Sequence, residues 1–128
     1  MFEPVHLTQW IPWDQRSSLS RGPGLYLIGK GAGLDVIYIG MTVGRKGIRY
    51  RLSQFHRSAT TGQPGHAGGV TYHNKLGSDV TELWVRSHIP HGVATDDQVM
   101  GCYVEYAERA LIWQHVRATG QRPICNTQ

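Results

Sequence analysis

The stretch GLYLIGKGAGLDVIYIGMT, residues 24–42, restricts the fold more than any other part of the chain. Two β-rich runs, 25–28 and 36–39, flank a segment that holds Gly29, Gly31 and Gly33. Apolar runs separated by a glycine-rich turn predict an antiparallel hairpin. Symmetric pairing sets Tyr26 opposite Tyr38 and Ile28 opposite Val36. Alternation then turns Leu25, Leu27, Ile37 and Ile39 to the other face. That second face is purely aliphatic and is the expected core. Both tyrosines share the first face, an arrangement that packing alone does not require.

Downstream, residues 45–57 carry Ile48, Leu52 and Phe55 at helical spacing. Residues 58–78 are rich in Gly, Ser, Thr and His and read as a loop, with one helical turn near 72–76. Residues 81–87 form a strand ended near Pro90, and 91–97 a loop. Asp97 is placed to cap a long helix reaching residue 118, stopped by Gly120 and Pro123. Residues 1–23 hold two tryptophans and three prolines, so 1–22 is read as an irregular arm packed on the domain 23–128. The order β-β-α-β-α describes an α+β domain whose small three-stranded antiparallel sheet is flanked by helices.

Charge adds a direction. The 128-residue chain carries a net charge of +4. Residues 36–78 contain no Asp or Glu but hold Arg45, Lys46, Arg49, Arg51, Arg57 and Lys75. This asymmetry suits a polyanion such as nucleic acid. Two cysteines without metal spacing read as reduced thiols of a cytoplasmic protein. No apolar run approaches a membrane span, so no membrane is expected.

Glu108 is the most informative single residue. On a helix its neighbours include Val104, Leu111 and Ile112, so it projects from the middle of an apolar stripe. A lone ionised carboxylate there is unfavourable unless a cation or metal compensates it. Glu105, one turn earlier, lies on the flank and is the reserve candidate. Arg51 flanks the Ile48-Leu52-Phe55 stripe, where its stem can lie on the core rim and its fork can face a phosphate. Arg49 and His56 share the opposite flank, from which they do not easily reach the same point, and they are kept as alternative catalytic candidates.

Taken together, Gly24-Leu25-Tyr26, Tyr38-Ile39-Gly40, the helix with Arg51-Leu52-Ser53-Gln54-Phe55, and Glu108-x-x-Leu111-Ile112 ending at Pro123-x-x-Asn126 resemble the GIY-YIG nuclease superfamily. The resemblance spans residues 23–126. It implies a three-stranded sheet flanked by helices and hydrolysis of phosphodiesters with one divalent metal, Mg2+ or Mn2+, held by Glu108. It further implies Tyr26 as the base or water-positioning phenol and Tyr38 as its neighbour at the scissile phosphate. Arg51 would stabilise the phosphorane charge, and Asn126 would brace the site. Several members place a Lys after the second motif, or a His or Tyr one turn after the Arg. Here those positions are Met41 and Phe55, so the group that relays the proton from Tyr26 stays open.

The expected substrate is DNA, with Arg45, Lys46, Arg57, His73 and Lys75 as candidate contacts. His66 is read with His73 and Lys75 on the 58–78 segment. Specificity is expected from the arm, that segment, a partner protein or a homodimer. The histidines, including His88 and His91, lack strong zinc spacing. Trp10, Trp13 and Trp84 read as packing residues. The competing reading is a non-catalytic nucleic-acid-binding module on the same fold.

Overall fold

A computed structural model describes residues 5–90 and 96–127. Its elements, in chain order, are β1 (Ile11–Pro12), a 3-10 helix (Trp13–Ser18), β2 (Gly24–Lys30), β3 (Asp35–Thr42), α1 (Gly47–Thr61), α2 (Ala67–Leu76), β4 (Leu83–His88) and α3 (Asp97–Thr119). The strands form one antiparallel sheet of four, in the order β1-β4-β2-β3. The expected count of three strands is therefore corrected. The additional strand comes from the arm, where Ile11 pairs with Val85 and Pro12 with Trp84.

The hairpin register differs from the symmetric one. Tyr26 faces Gly40 and Tyr38 faces Ile28. This is a slip of two residues, and an even slip preserves the side-chain alternation, so the tyrosines still share a face. Gly40 shows why the slip is favoured. A Cβ there would lie 2.5 Å from Tyr38 Cε2 and 2.6 Å from Tyr26 Cζ. Only glycine lets both rings cross this point. Beyond Ile28 the register breaks, with Gly29 facing Val36, so Ile37 is the extra residue of a bulge. Ile37 therefore joins the core on the tyrosine face, while Val36 packs on the other side.

Both sheet faces are covered. The tyrosine face is the larger core, where Tyr26, Ile28 and Val85 meet Ile48, Leu52 and Phe55 of α1 and Tyr72 of α2. The aliphatic face carries α3, with Leu25 against Val104 and Ala107, and Leu27 and Ile39 against Ile112. The arm closes the β4 edge and straddles it: Trp13 is buried on the tyrosine side and Trp10 packs on the α3 side.

Helix ends follow local chemistry. α1 stops at Gly62, whose φ of 77° suits the left-handed cap. Asp96, rather than Asp97, caps α3 by accepting from Gln98 and Val99 N–H, and Gly120 ends it. The segment expected as a loop with one helical turn is a ten-residue helix, α2. Its opening Ala67-Gly68-Gly69 has poor helix propensity and hides it. Tertiary fit supplies the reason for the glycines: a Cβ on Gly68 would stand 2.5 Å from Tyr38 Cε1, and one on Gly69 would stand 2.7 Å from the Phe55 carbonyl. The loop expected at 91–97 falls largely outside the described residues. No helix among the described residues is long and apolar enough to cross a membrane.

Candidate active site

A cleft of about 160 Å³ opens where β3, α1, the start of α2, α3 and the C-terminal segment meet. Tyr38 of β3, Arg51 of α1, Gly68 of α2, Glu108 of α3 and Asn126 line it. These residues are widely separated in the chain, and each reaches the cleft because its element presents that face to β3.

Asn126 is fixed beside the cleft by hydrogen bonds to β3. β3 is the edge strand, and the C-terminal segment completes it. Cys125 N–H donates to the Ile37 carbonyl at 2.8 Å. The Asn126 amide then imitates a strand neighbour, with Oδ1 accepting from Ile39 N–H and Nδ2 donating to the Ile39 carbonyl, both at 2.8 Å. This covers an edge that would otherwise present unpaired backbone groups.

Tyr26 is placed differently from expectation. It is fully buried and does not line the cleft; Tyr38, only partly buried, stands in front of it. The two rings lie 5.9 Å apart. Behind Tyr26 is His66, expected on a surface loop but buried as the N-cap of α2. Tyr38 and Phe55 rings wall it at 5.1 and 5.2 Å. Gly69 N–H donates to His66 Nδ1 at 3.2 Å. A neutral ring that accepts at Nδ1 carries its proton on Nε2, so Nε2–H donates to the Tyr26 oxygen at 2.9 Å. Burial, followed by the positive charge of Arg51, lowers the His66 pKa to about 3 and keeps the ring neutral. His66 is thus a donor to the phenol, with no free lone pair to take its proton.

Electrostatics separate the two phenols. Burial drives the Tyr26 pKa far upward and Tyr38 adds to this, against the nearby Arg51. Burial also raises Tyr38, the Arg51 charge opposes it, Glu108 adds to it, and the neighbouring Tyr26 hydroxyl draws it down. Tyr38 is therefore the more acidic and the more accessible of the pair. Arg51 acts on both phenols and on His66, and it is steadied at the rim by Gln54, whose Oε1 accepts from Nη1 at 2.5 Å.

Glu108 sits in the apolar stripe between buried Val104 and Ile112, its side chain 18% exposed. Its one ion pair among the described residues is a long contact of 3.9 Å to Arg109, whose side chain is 64% exposed. Burial raises its pKa, Arg109 opposes this, and Glu105 adds to it. Glu105 itself is exposed and is not among the residues lining the cleft. Among the described residues no three His, Cys, Asp or Glu side chains gather as a metal group. A divalent ion here would have one protein carboxylate and otherwise water, a donor set that magnesium accepts.

The remaining candidates lie elsewhere. Arg49 borders a separate concavity with Arg21, Arg45 and Lys46. His56 accepts from Trp13 Nε1–H at 3.0 Å and ties the arm to α1. Arg57 donates to the Pro64 carbonyl, and His73 Nδ1 meets the Ala59 carbonyl at 2.9 Å, so both brace the α1–α2 turn. Lys75 lines a larger cleft that shares Asn126 with the candidate site. The sequence marks His66 only as a candidate nucleic-acid contact on a surface segment, and it does not mark Gly68 or Gln54 as site residues. Histidine is not a favoured N-cap, and only the α1–α2 packing brings His66 beneath Tyr26. The chain matches no family model, no characterised protein and no solved structure at a significant level.

Proposed function

We propose that this chain is a metal-dependent endonuclease of the GIY-YIG type that hydrolyses phosphodiester bonds in DNA. The observation that carries the reading is the convergence of Tyr38, Arg51, Glu108 and Asn126, from four separate segments, on one cleft, with Tyr26 directly behind Tyr38. In-line attack on a phosphodiester needs a positioned water, a proton acceptor and cations facing the developing charge.

Arg51 supplies a fixed cation on the cleft wall. Tyr38 is the phenol that meets the attacking water. Tyr26 supports it from behind, ring against ring, and His66 holds Tyr26 in turn. A divalent ion bound at Glu108 would polarise the phosphate and relieve the raised carboxyl pKa. Asn126 keeps β3, and with it Tyr38, in register.

The test is nicking of supercoiled plasmid in Mg2+ or Mn2+ by the wild type and by Arg51→Ala. The wild type should cut, and the variant should lose about a hundredfold to a thousandfold in rate with its fold intact. DNA binding without cleavage in either metal would replace this reading with a non-catalytic nucleic-acid-binding module.

A further inference from the structure

The larger cleft that adjoins the candidate site has a volume of about 540 Å³, within the roughly 300–1,000 Å³ usual for small-ligand pockets. It runs beside β3 from Asn126, which lines both clefts, to Asp35 at the start of the strand. Residues 35–38 span about 10 Å of extended strand, so the far end is about one nucleotide step or two from Tyr38. Its lining divides by chemistry. Val36, Pro123 and Ile124 contribute apolar surface, and Ile124 is 45% exposed. Lys75 and Arg122 contribute charge opposite in sign to a phosphate, and His115 adds a polar ring. Neither Lys75 nor Arg122 forms an ion pair among the described residues. The one carboxylate, Asp35, belongs to the end away from Asn126.

We propose that this cleft seats the nucleotide next to the scissile phosphate with its base unpaired, the neighbouring phosphate on Lys75 and Arg122 and the base against Ile124 and Pro123. The inference rests on the nuclease reading and adds a substrate class to it: single-stranded or branched DNA rather than an intact duplex. A base stacked within a duplex has both faces covered and gains nothing from an apolar floor. An unpaired base does gain, and its phosphate keeps the salt-dependent attraction.

The experiment is fluorescence anisotropy with a labelled single-stranded oligonucleotide and its duplex, in EDTA so that nothing is cut, over a range of salt. The wild type should bind the single strand more tightly than the duplex. Lys75→Ala/Arg122→Ala should weaken single-strand binding at least tenfold at low salt and flatten the salt slope by about 0.7, the share of the one phosphate contact that is lost. Ile124→Ser should weaken the single strand several-fold and leave the duplex unchanged. Single-strand binding that survives all these substitutions in a protein that still cuts DNA would overturn the cleft's role and leave the nuclease reading standing. A wild type that neither binds nor cuts any oligonucleotide would overturn both.

Discussion

The two faces of the sheet solve the same burial problem with different chemistry. Against α3, Leu25, Leu27 and Ile39 meet Val104, Ala107 and Ile112, an aliphatic layer with Glu108 in its stripe. Against α1 and α2, the layer is aromatic and partly polar: Tyr26, Tyr38, Phe55, Tyr72 and His66 interlock. Every buried side-chain N or O among the described residues has a hydrogen-bond partner. The aliphatic layer needs mainly shape, with one polar contact at its edge between His88 and Tyr103 at 3.0 Å. The aromatic layer must also satisfy three phenols, an imidazole and a guanidinium, and each constrains the others. The candidate site lies where the layers meet beside β3, taking its carboxylate from the first and its phenols and cation from the second.

The sharpest way to break this contrast is Glu108→Gln. If the carboxylate in the aliphatic layer serves the site, cleavage should fall about a thousandfold, since a neutral amide binds magnesium poorly. The metal-free protein should melt no lower, because a carboxyl whose pKa is raised by burial favours the fold only while protonated, and that contribution is lost as pH rises through its folded value. DNA binding should persist. A clear drop in the metal-free melting temperature would make Glu108 a structural ion-pair residue.

Leu25→Ala probes the aliphatic layer alone. Leu25 is fully buried, and its truncation should lower stability by about 3 kcal/mol. The cleavage rate per folded molecule should stay near that of the wild type. Rates normalised to the folded fraction decide this; a large residual loss would mean that α3 packing also sets the cleft geometry.

In the aromatic layer the same kind of change should move both quantities. His66→Ala leaves the Tyr26 oxygen and Gly69 N–H without their partner and should lower stability by about 2 kcal/mol as well as activity. His66→Gln can accept from Gly69 and donate to Tyr26, and should recover most of the loss. A pH signature accompanies it. The folded His66 pKa, about 3, lies below the unfolded value near 6.5. The unfolded chain therefore takes up the proton first, and wild-type stability should decline as pH falls from about 6.5 toward 3. Melting curves over that range should flatten in the Gln variant. An unchanged acid limb would show that His66 does not remain neutral in the fold.

The smallest effect belongs to His56→Ala. Loss of the bond from Trp13 should lower stability by about 1 kcal/mol and leave cleavage unchanged. A variant that melts normally but cuts poorly would return His56 to the site and weaken the division drawn between the flanks of α1.

Legibility in the sequence follows the range of the interaction. The hairpin was readable from its glycines and alternation, and the shared face of Tyr26 and Tyr38 survived because an even slip preserves parity. The stripes of α1 and α3 placed Arg51 and Glu108 from helical spacing alone. Tyr26 was read as facing the cleft, yet its ring is covered by Tyr38 and His66, which alternation along one strand cannot reveal. α2 was missed because Gly68 and Gly69 lower local helix propensity while permitting close contact with Tyr38 and α1.

The sequence by itself therefore determined the local periods: the strands, the long helices, the stripe around Glu108 and the flank of Arg51. These depend on neighbours within a few residues. Only the tertiary structure decided the register at Gly40, the fourth strand from the arm, and the burial of His66 beneath Tyr26. Each depends on volumes and hydrogen-bond partners supplied by distant elements. His66 and Tyr26, 40 residues apart, meet at 2.9 Å because α2 packs on α1 above β2, a contact with no signature in either local stretch.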